Sequence, residues 1–136
     1  MIQISGVPPW HARGVWPLAG PWTEDALKQG AQMVTADEVL EAIEEGRIAL
    51  WLVLEDGVAV ASFTTMVEGQ GLTWFTLGGH GIERWLPDVD KLLTLLARAM
   101  GCRRVQLRGR RGWTRKLAPF GWKETAVTMT KDVCDG

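Results

Sequence analysis

A loop of small residues in the middle of the chain has a composition that could bind an anion. It contains Gly78, Gly79, His80 and Gly81. Backbone N–H groups in such a loop can bind phosphate, and glycines let the phosphate approach closely. However, a helix is predicted from about Asp88 to Met100, with Asp88 and Asp90 at its positive end and no Gly-x-Gly pattern there. Pro87 also removes one amide donor. Two alternatives stay open. The loop is either a weak anion site or a tight strand-to-helix connection with His80 on the surface, and Pro87, Asp88 and Asp90 favour the connection.

A second loop is rich in arginine. The candidate partner-binding residues are Arg108, Arg110, Arg111 and Arg115. Guanidinium groups bind carboxylates and phosphates through paired hydrogen bonds. Seven carboxylates lie between Glu24 and Glu45, against one lysine, and could receive these arginines from another copy of the chain. The alternatives are a solvated turn and, less favoured because the net charge is −1, a nucleic acid.

Several side chains could act as general bases, but no spacing singles one out. His80 and Glu124 are the weak catalytic candidates, and Glu68 is also available. A general base must lie within hydrogen-bond reach of its substrate, and no spacing in the sequence places any of these residues there. Each is therefore more typical of a solvated surface residue. The sequence shows neither a Ser-His-Asp arrangement nor a metal-ligand spacing. No metal site is therefore predicted.

These loops need a sheet to position them, and the apolar pattern predicts one. The predicted strands are Ile48–Leu54, Val58–Val67, Leu72–Leu77 and Cys102–Leu107, with a last extended segment from Trp122 to about Lys131. Asp56-Gly57 is a hairpin signal, which makes the first three strands an antiparallel meander. The helix predicted after the third strand implies a parallel pair with the fourth.

The N-terminal third is predicted to be less regular. Residues 1–22 carry four prolines, at Pro8, Pro9, Pro17 and Pro21, which exclude a regular helix and predict an arm with a short strand over Ile2–Ile4. Thr23 is predicted to cap a helix over Glu24–Gln29. A capping box at Thr35 and Glu38 starts a further helix that Gly46 ends.

Length and composition limit the class of protein. A chain of 136 residues, 46% hydrophobic and 23% charged, predicts a single globular domain over residues 1–136 with a loose tail at 132–136. No apolar segment approaches the roughly 18 residues that span a bilayer, and no signal peptide is visible. Cys102 and Cys134 do not form a disulfide framework, so a reducing cytoplasm is expected.

The predicted order of elements, with Gly121-Trp122 after a short helix, resembles the GNAT superfamily of acyltransferases. The resemblance implies an α+β fold with a mixed, mostly antiparallel sheet and helices on both faces. It also implies that the loop after the central strand, here Gly78–Gly81, would hold the pyrophosphate of acyl-coenzyme A (acyl-CoA). Many of these enzymes carry a Tyr acid in the last short helix; that position is Leu117, and the chain contains no Tyr.

The chain is also similar to small tailed-phage proteins of this superfamily, including a small internal core protein of podovirus-type phages. The residues that carry this similarity are Val15-Trp16-Pro17, Met33–Leu40, Gly46-Arg47, Trp51-Leu52-Val53, Leu77-Gly78-Gly79, Trp85-Leu86-Pro87, Gly101-Cys102 and Gly109–Trp113. It implies a virion-associated, morphogenesis or DNA-delivery component in the infected host's cytoplasm, or packaged in the virion. Its partners would be other phage structural proteins or a second copy.

Two functional expectations follow. The favoured one is a GNAT scaffold that binds proteins, uses no cofactor and has no acyltransferase activity. The alternative is a divergent N-acetyltransferase that depends on acetyl-CoA.

Overall fold

A five-stranded mixed sheet in the order β1-β2-β3-β4-β5 forms the centre of the computed structural model, which describes residues 1–29, 34–107, 112–125, 131 and 133. The strands are β1 (Ile2–Val7), β2 (Ala49–Glu55), β3 (Val58–Glu68), β4 (Gly71–Gly79) and β5 (Arg104–Leu107). The helices are α1 (Ala12–Gln29), α2 (Ala36–Glu44), α3 (Ile82–Ala99) and α4 (Gly112–Leu117), with short 3-10 turns at Pro9–His11 and Ala118–Phe120. Strands β2, β3 and β4 form the predicted antiparallel meander, and β4 pairs parallel with β5 as predicted, whereas the antiparallel pairing of β1 with β2 was not predicted.

The hairpin between β2 and β3 has the predicted turn. Asp56 and Gly57 have φ angles of 52° and 83°, the positive values that both central residues of a type I′ turn adopt. This turn has the hand of twist that antiparallel strands need. A two-residue signal in the sequence therefore sets the register of the hairpin, from Glu55 opposite Val58 onward.

Helices cover both faces of the sheet because side chains alternate along each strand. One face packs against α1 and α2, and its buried strand residue Leu50 joins a core with Ala19, Leu40 and Ile43. The other face packs against α3 and α4. Its buried residues include Val53, Ala61, Phe63, Leu72, Trp74, Trp85, Val89, Leu93 and Leu117.

The prediction that prolines exclude a helix from residues 1–22 is wrong. Residues 1–22 form β1, a 3-10 turn and the first half of α1, which contains Pro17 and Pro21. Both prolines are exposed and lie four residues apart, so they share the outer face of the helix. Each leaves one carbonyl without its helical N–H, but on this face water can bind it. Burial of Ala12 and Ala19 on the inner face holds the helix together.

The helix start predicted at Thr23 is also wrong. Thr23 lies within α1, is buried, and donates its hydroxyl to the carbonyl oxygen of Ala19 at 2.9 Å. A threonine can satisfy its hydroxyl inside a helix in this way, so its presence did not mark a cap. The capping box at Thr35 and Glu38 is confirmed, since each side chain accepts a hydrogen bond from the other residue's backbone N–H.

The C-terminal region is described only in part. Residues 122–125 are not in a strand, and most of the predicted strand from Trp122 to Lys131 lies outside the described residues, as does most of the tail at 132–136. Within the described part of the chain, no helix is long and apolar enough to cross a membrane.

Candidate functional site

The junction of β4 and α3 differs from the prediction in a way that changes its electrostatics. The helix begins at Ile82, not near Asp88, with Gly81 as its N-cap at a φ of 72°. The indole N–H of Trp85 donates to the carbonyl oxygen of His80 at 2.8 Å and ties the first turn to the loop. Asp88 therefore lies in the second turn, beyond the range over which the positive helix end acts. The predicted repulsion of phosphate by Asp88 and Asp90 is not what this structure shows.

The first turn of α3 carries one acidic and one basic residue. Glu83 and Arg84 are both exposed there. The Arg84 side chain lies against the loop, because a Cβ added to Gly81 would fall 2.6 Å from the guanidinium carbon. Its Nε donates to Glu55 Oε2 at 2.8 Å. A cation is thus held beside the glycine loop by a carboxylate at the end of β2.

Close packing against neighbouring elements also requires glycine at positions 78 and 79. A Cβ on Gly78 would meet the backbone carbonyl oxygen of Trp22 on α1, and a Cβ on Gly79 would meet Ala61 on β3. The His80 amide donates to the Val60 carbonyl at 2.8 Å and is not available to a ligand. The N–H groups of Ile82 and Glu83 belong to the first helical turn, whose donors have no intrahelical acceptors. The anion-binding capacity of the junction therefore lies at the start of α3.

The parallel pair β4–β5 lies beside this junction. Pairing runs from Gly71 opposite Arg104 to Trp74 opposite Leu107, where the described part of β5 ends. Strand β4 continues to Gly79. Its ladder with β3 is irregular at the same place, since Thr64 faces Thr76 while Thr65 faces Trp74.

Phe75 is thus the extra residue of a bulge in β4. A bulge interrupts the ladder and leaves backbone groups free.

Aromatic rings surround Trp74 on the face of β4 that packs against α3. Trp74 is fully buried and contacts Phe63, Trp113 and Trp122, with ring centroids 5.9, 5.7 and 6.5 Å away. Trp122 is fixed to α3, because its indole N–H donates to Asp90 Oδ1 at 2.7 Å. Leu117, at the position where the resemblance places a Tyr acid, is buried in this core and has no proton to offer.

The remaining predicted site residues lie apart or outside the described chain. His80 is exposed and its ring stands edge-on to Trp22, and Glu124 is exposed. Arg115 is exposed on α4, whereas Arg108, Arg110 and Arg111 lie outside the described residues. No group of His, Cys, Asp and Glu suited to a metal occurs in the described part.

Sequence reasoning missed Arg84. The expectation that this region holds no Gly-x-Gly pattern is wrong, because Gly79-His80-Gly81 has that spacing, and Arg84 lies in the first turn of the helix that starts directly after it.

A second concave region lies between the two N-terminal helices. It is a cavity of about 370 Å³ lined by Glu24, Leu27, Lys28, Val34, Thr35, Ala36 and Asp37. Carboxylates on its rim suit a cationic group, although Glu24 is 3.5 Å from the Lys28 ammonium. It is separate from the β4–α3 junction.

Comparison with known proteins identifies the fold. No protein-family model and no curated protein sequence matches the chain. An aminoglycoside N-acetyltransferase solved in complex with CoA matches with a TM-score of 0.71 and 14% identity over 98% of this chain and 96% of its own. A GCN5-related N-acetyltransferase from Ralstonia eutropha matches with a TM-score of 0.67 and 16% identity over 98% and 99%. A predicted acetyltransferase from Clostridium acetobutylicum, solved with acetyl-CoA, matches with a TM-score of 0.67 and 8% identity over 98% and 97%.

These matches contradict the expectation about the cofactor and do not test the expected phage origin. The expectation of a chain that uses no cofactor is contradicted, because the matched structures include complexes with CoA and acetyl-CoA. The phage origin and the virion role stay predictions from the sequence resemblance, since the matched structures are acetyltransferases. The order of strands and helices and the full-length matches agree that this chain has the α+β fold of the GCN5-related N-acetyltransferases.

Proposed function

We propose that the protein is a divergent N-acyltransferase that takes its acyl group from acetyl-CoA. The observation that carries this proposal is the β4–α3 junction. There, a glycine loop, a helix N-terminus and a held arginine lie together at the end of β4. The fold's occurrence in structures with CoA and acetyl-CoA supports the same assignment.

The residues at the junction fit a diphosphate. The first-turn amides of α3 and the guanidinium of Arg84 supply hydrogen-bond donors and positive charge. Glu83 opposes them with one negative charge, but it is exposed and can point into solvent. The space that a Gly81 side chain would fill is occupied by the Arg84 guanidinium, which glycine allows to lie against the loop. Ile82, Glu83 and Arg84 would therefore hold the diphosphate through two amides and one guanidinium.

The edge of β4 would hold the rest of the cofactor. An extended arm with amide groups can pair with strand backbone, and β4 runs through the Phe75 bulge to Gly79 at the junction. N–H groups at the bulge could stabilise negative charge on a carbonyl oxygen bound there. Acetyl-CoA supplies the acyl group as an activated thioester.

Transfer to an amine needs a base for the amine's proton and an acid for the leaving sulfur. The C–S bond breaks as the C–N bond forms, and the sulfur takes up one proton. Leu117, at the expected acid position, cannot donate a proton, so water would carry the proton from the amine to the thiolate. A thiol has a pKa of about 8.5, so water can protonate the thiolate near neutral pH. His80 and Glu124 are exposed, and we assign neither of them a catalytic role.

Two measurements test the proposal. Calorimetry should detect binding of acetyl-CoA to the purified chain in the micromolar range. Incubation with acetyl-CoA and a panel of primary amines should then release free thiol faster than acetyl-CoA alone does. No heat and no thermal shift with millimolar acetyl-CoA would reject the function.

A further inference from the structure

The first strand of the sheet has one free edge in the described part of the chain. Strand β1 stands at the end of the strand order, and β2 is its one neighbour among the described strands. The Asp56 amide donates to the Met1 carbonyl at 3.0 Å, which makes these two residues a hydrogen-bonded pair of the antiparallel ladder. Such pairs alternate with non-bonded ones, so the N–H and C=O groups of Ile2, Ile4 and Gly6 point away from β2.

This edge carries none of the features that normally keep a sheet edge from pairing with another strand. Edges are usually protected by charged side chains, by proline or by a bulge. Residues 2–7 contain no charged residue and no proline, and they pair with β2 in regular register. Strand β5, at the other end of the described sheet, carries the exposed Arg104. The composition of β1 is therefore that of a strand that pairs on both sides.

The sequence of β1 is complementary to a second copy of itself. In an antiparallel pair centred on Ile4, Ile2 of each copy lies opposite Gly6 of the other, and all of the outward backbone groups of both strands are hydrogen-bonded. A centre at Gln3 or Ser5 leaves some of these groups unpaired. The register centred on Ile4 is therefore the one that satisfies the whole edge.

Side chains on both faces of β1 fit this register. Gly6 lies on the face that packs against α3, where a Cβ would come within 3.4 Å of the Trp51 ring. The partner's Ile2 would fill the space beside Gly6 and contact this half-buried ring. On the opposite face Gln3 and Ser5 are exposed, and the register places Gln3 of each copy opposite Ser5 of the other, where their side chains can hydrogen-bond.

Exposed apolar side chains at the two ends of β1 extend this surface. Met1 is 90% exposed directly before the strand, and Trp10 is 79% exposed in the 3-10 turn after it. Antiparallel pairing brings opposite ends together, so Met1 of one copy lies opposite Val7 of the other, shortly before its Trp10. Specific interfaces bury about 1,200–2,000 Å² in total, and one strand pair with these side chains belongs at the small end of that range. We therefore expect a Kd in the micromolar range.

We propose that two copies of this chain pair through β1 in an antiparallel dimer centred on Ile4, which joins their sheets into one continuous sheet. The two-fold axis of this dimer makes the contact closed, so it does not extend into a fibre. Because residues 2–7 are uncharged, the pairing brings no like charges opposite each other. The contact uses no residue of the β4–α3 junction, so its test is separate from that of the proposed function.

Charge substitutions at the exposed positions test both the contact and its register. Gln3→Lys combined with Ser5→Lys would place lysine opposite lysine on both sides of the centre, and should weaken the dimer about fivefold or more. The matched control is Gln3→Lys combined with Ser5→Glu, which would place lysine opposite glutamate and should dimerise at least as tightly as the unmodified chain. Sedimentation equilibrium at low ionic strength, from micromolar to near-millimolar protein, measures the three dissociation constants.

Three results of this measurement would overturn the inference. An unmodified chain that stays monomeric at near-millimolar concentration would leave the edge to an extended segment of another protein. A dimer that the two lysines do not weaken would be held by another surface. Equal weakening by the lysine pair and by the lysine–glutamate pair would contradict the register centred on Ile4.

Amide hydrogen exchange gives a second readout that needs no substitution. The amides of Ile2, Ile4 and Gly6 point away from β2 and should exchange quickly in the monomer, whereas those of Gln3 and Ser5 donate to β2. Raising the protein concentration should slow exchange at the first three and leave the other two unchanged. Fast exchange at Ile2, Ile4 and Gly6 under conditions where the dimer predominates would overturn the pairing.

Discussion

Arg84 in the first turn of α3 donates from Nε to Glu55 Oε2 at the end of β2, at a distance of 2.8 Å. The bond joins a strand end to a helix start across the glycine loop and fixes a cation beside that loop. It also gives Arg84 a carboxylate that competes with any bound phosphate. The ion pair therefore positions the Arg84 guanidinium and also weakens its attraction for a phosphate.

Glu55→Gln should tighten acetyl-CoA binding about two- to fivefold, because the competing negative charge is lost while the guanidinium stays in place. Calorimetry at fixed, low ionic strength measures the change. The matched control is Glu45→Gln, which removes an exposed carboxylate paired with Arg47 away from the junction. Weaker binding by Glu55→Gln would mean that the pair serves mainly to hold Arg84 in place.

Gly78→Ala should destabilise the fold, because the new methyl group would lie 2.3 Å from the backbone carbonyl oxygen of Trp22 and force α1 away from β4. Overpacking of this kind costs about 1–3 kcal/mol. Gly14→Ala is the control: nothing lies within 4 Å of its Cβ, and alanine in a helix should add about 0.5–1 kcal/mol. Urea unfolding measures both. Equal stability of the two variants would contradict the close packing of α1 on β4.

Glu44 should make part of the fold's stability depend on pH. The hydrogen bond from Arg13 lowers the pKa of Glu44 below its ordinary value near 4.5. Its contribution is therefore fully present above pH 4.5 and is lost as the pH falls through the lowered pKa. Carbon NMR titration should show the Glu44 pKa returning toward its ordinary value in Arg13→Gln, and the stability difference between the two proteins should vanish at low pH. A Glu44 pKa that Arg13→Gln does not change would contradict the ion pair.

Trp122→Phe should loosen the segment after the last 3-10 turn. The change removes the donor to Asp90, a hydrogen bond to a charged group that is worth about 1.5–3 kcal/mol. Asp90→Asn keeps an acceptor and should cost less. Hydrogen exchange of residues 121–125 measures the loosening, and unchanged protection in Trp122→Phe would show that this segment is held by other contacts.

Short sequence motifs correctly predicted the elements that depend only on adjacent residues. The Asp56-Gly57 turn and the capping box at Thr35 depend on adjacent residues, and both are as predicted. The path of α1 through Pro17 and Pro21 could not be predicted in this way, because burial of its inner face outweighs the local cost of the prolines.

The candidate site was predicted only in outline. The glycine loop was identified, but the start of α3 depends on the conformation of Gly81 and on the Trp85 bond to His80, which apolar periodicity does not report. Shifting that start moves Asp88 away from the loop and brings Arg84 to it. The Trp74 indole N–H has no partner among the described residues, a feature that depends on tertiary contacts and cannot be predicted from sequence patterns.

The most direct test of the central claim is calorimetry of Arg84→Gln with acetyl-CoA, beside the wild-type chain and Arg98→Gln. Arg98 is an exposed arginine in the last turn of the same helix, so its variant removes the same charge far from the loop. If the start of α3 holds the diphosphate, Arg84→Gln should bind about tenfold more weakly and Arg98→Gln as tightly as wild type. Equal affinities for all three proteins would contradict the claim.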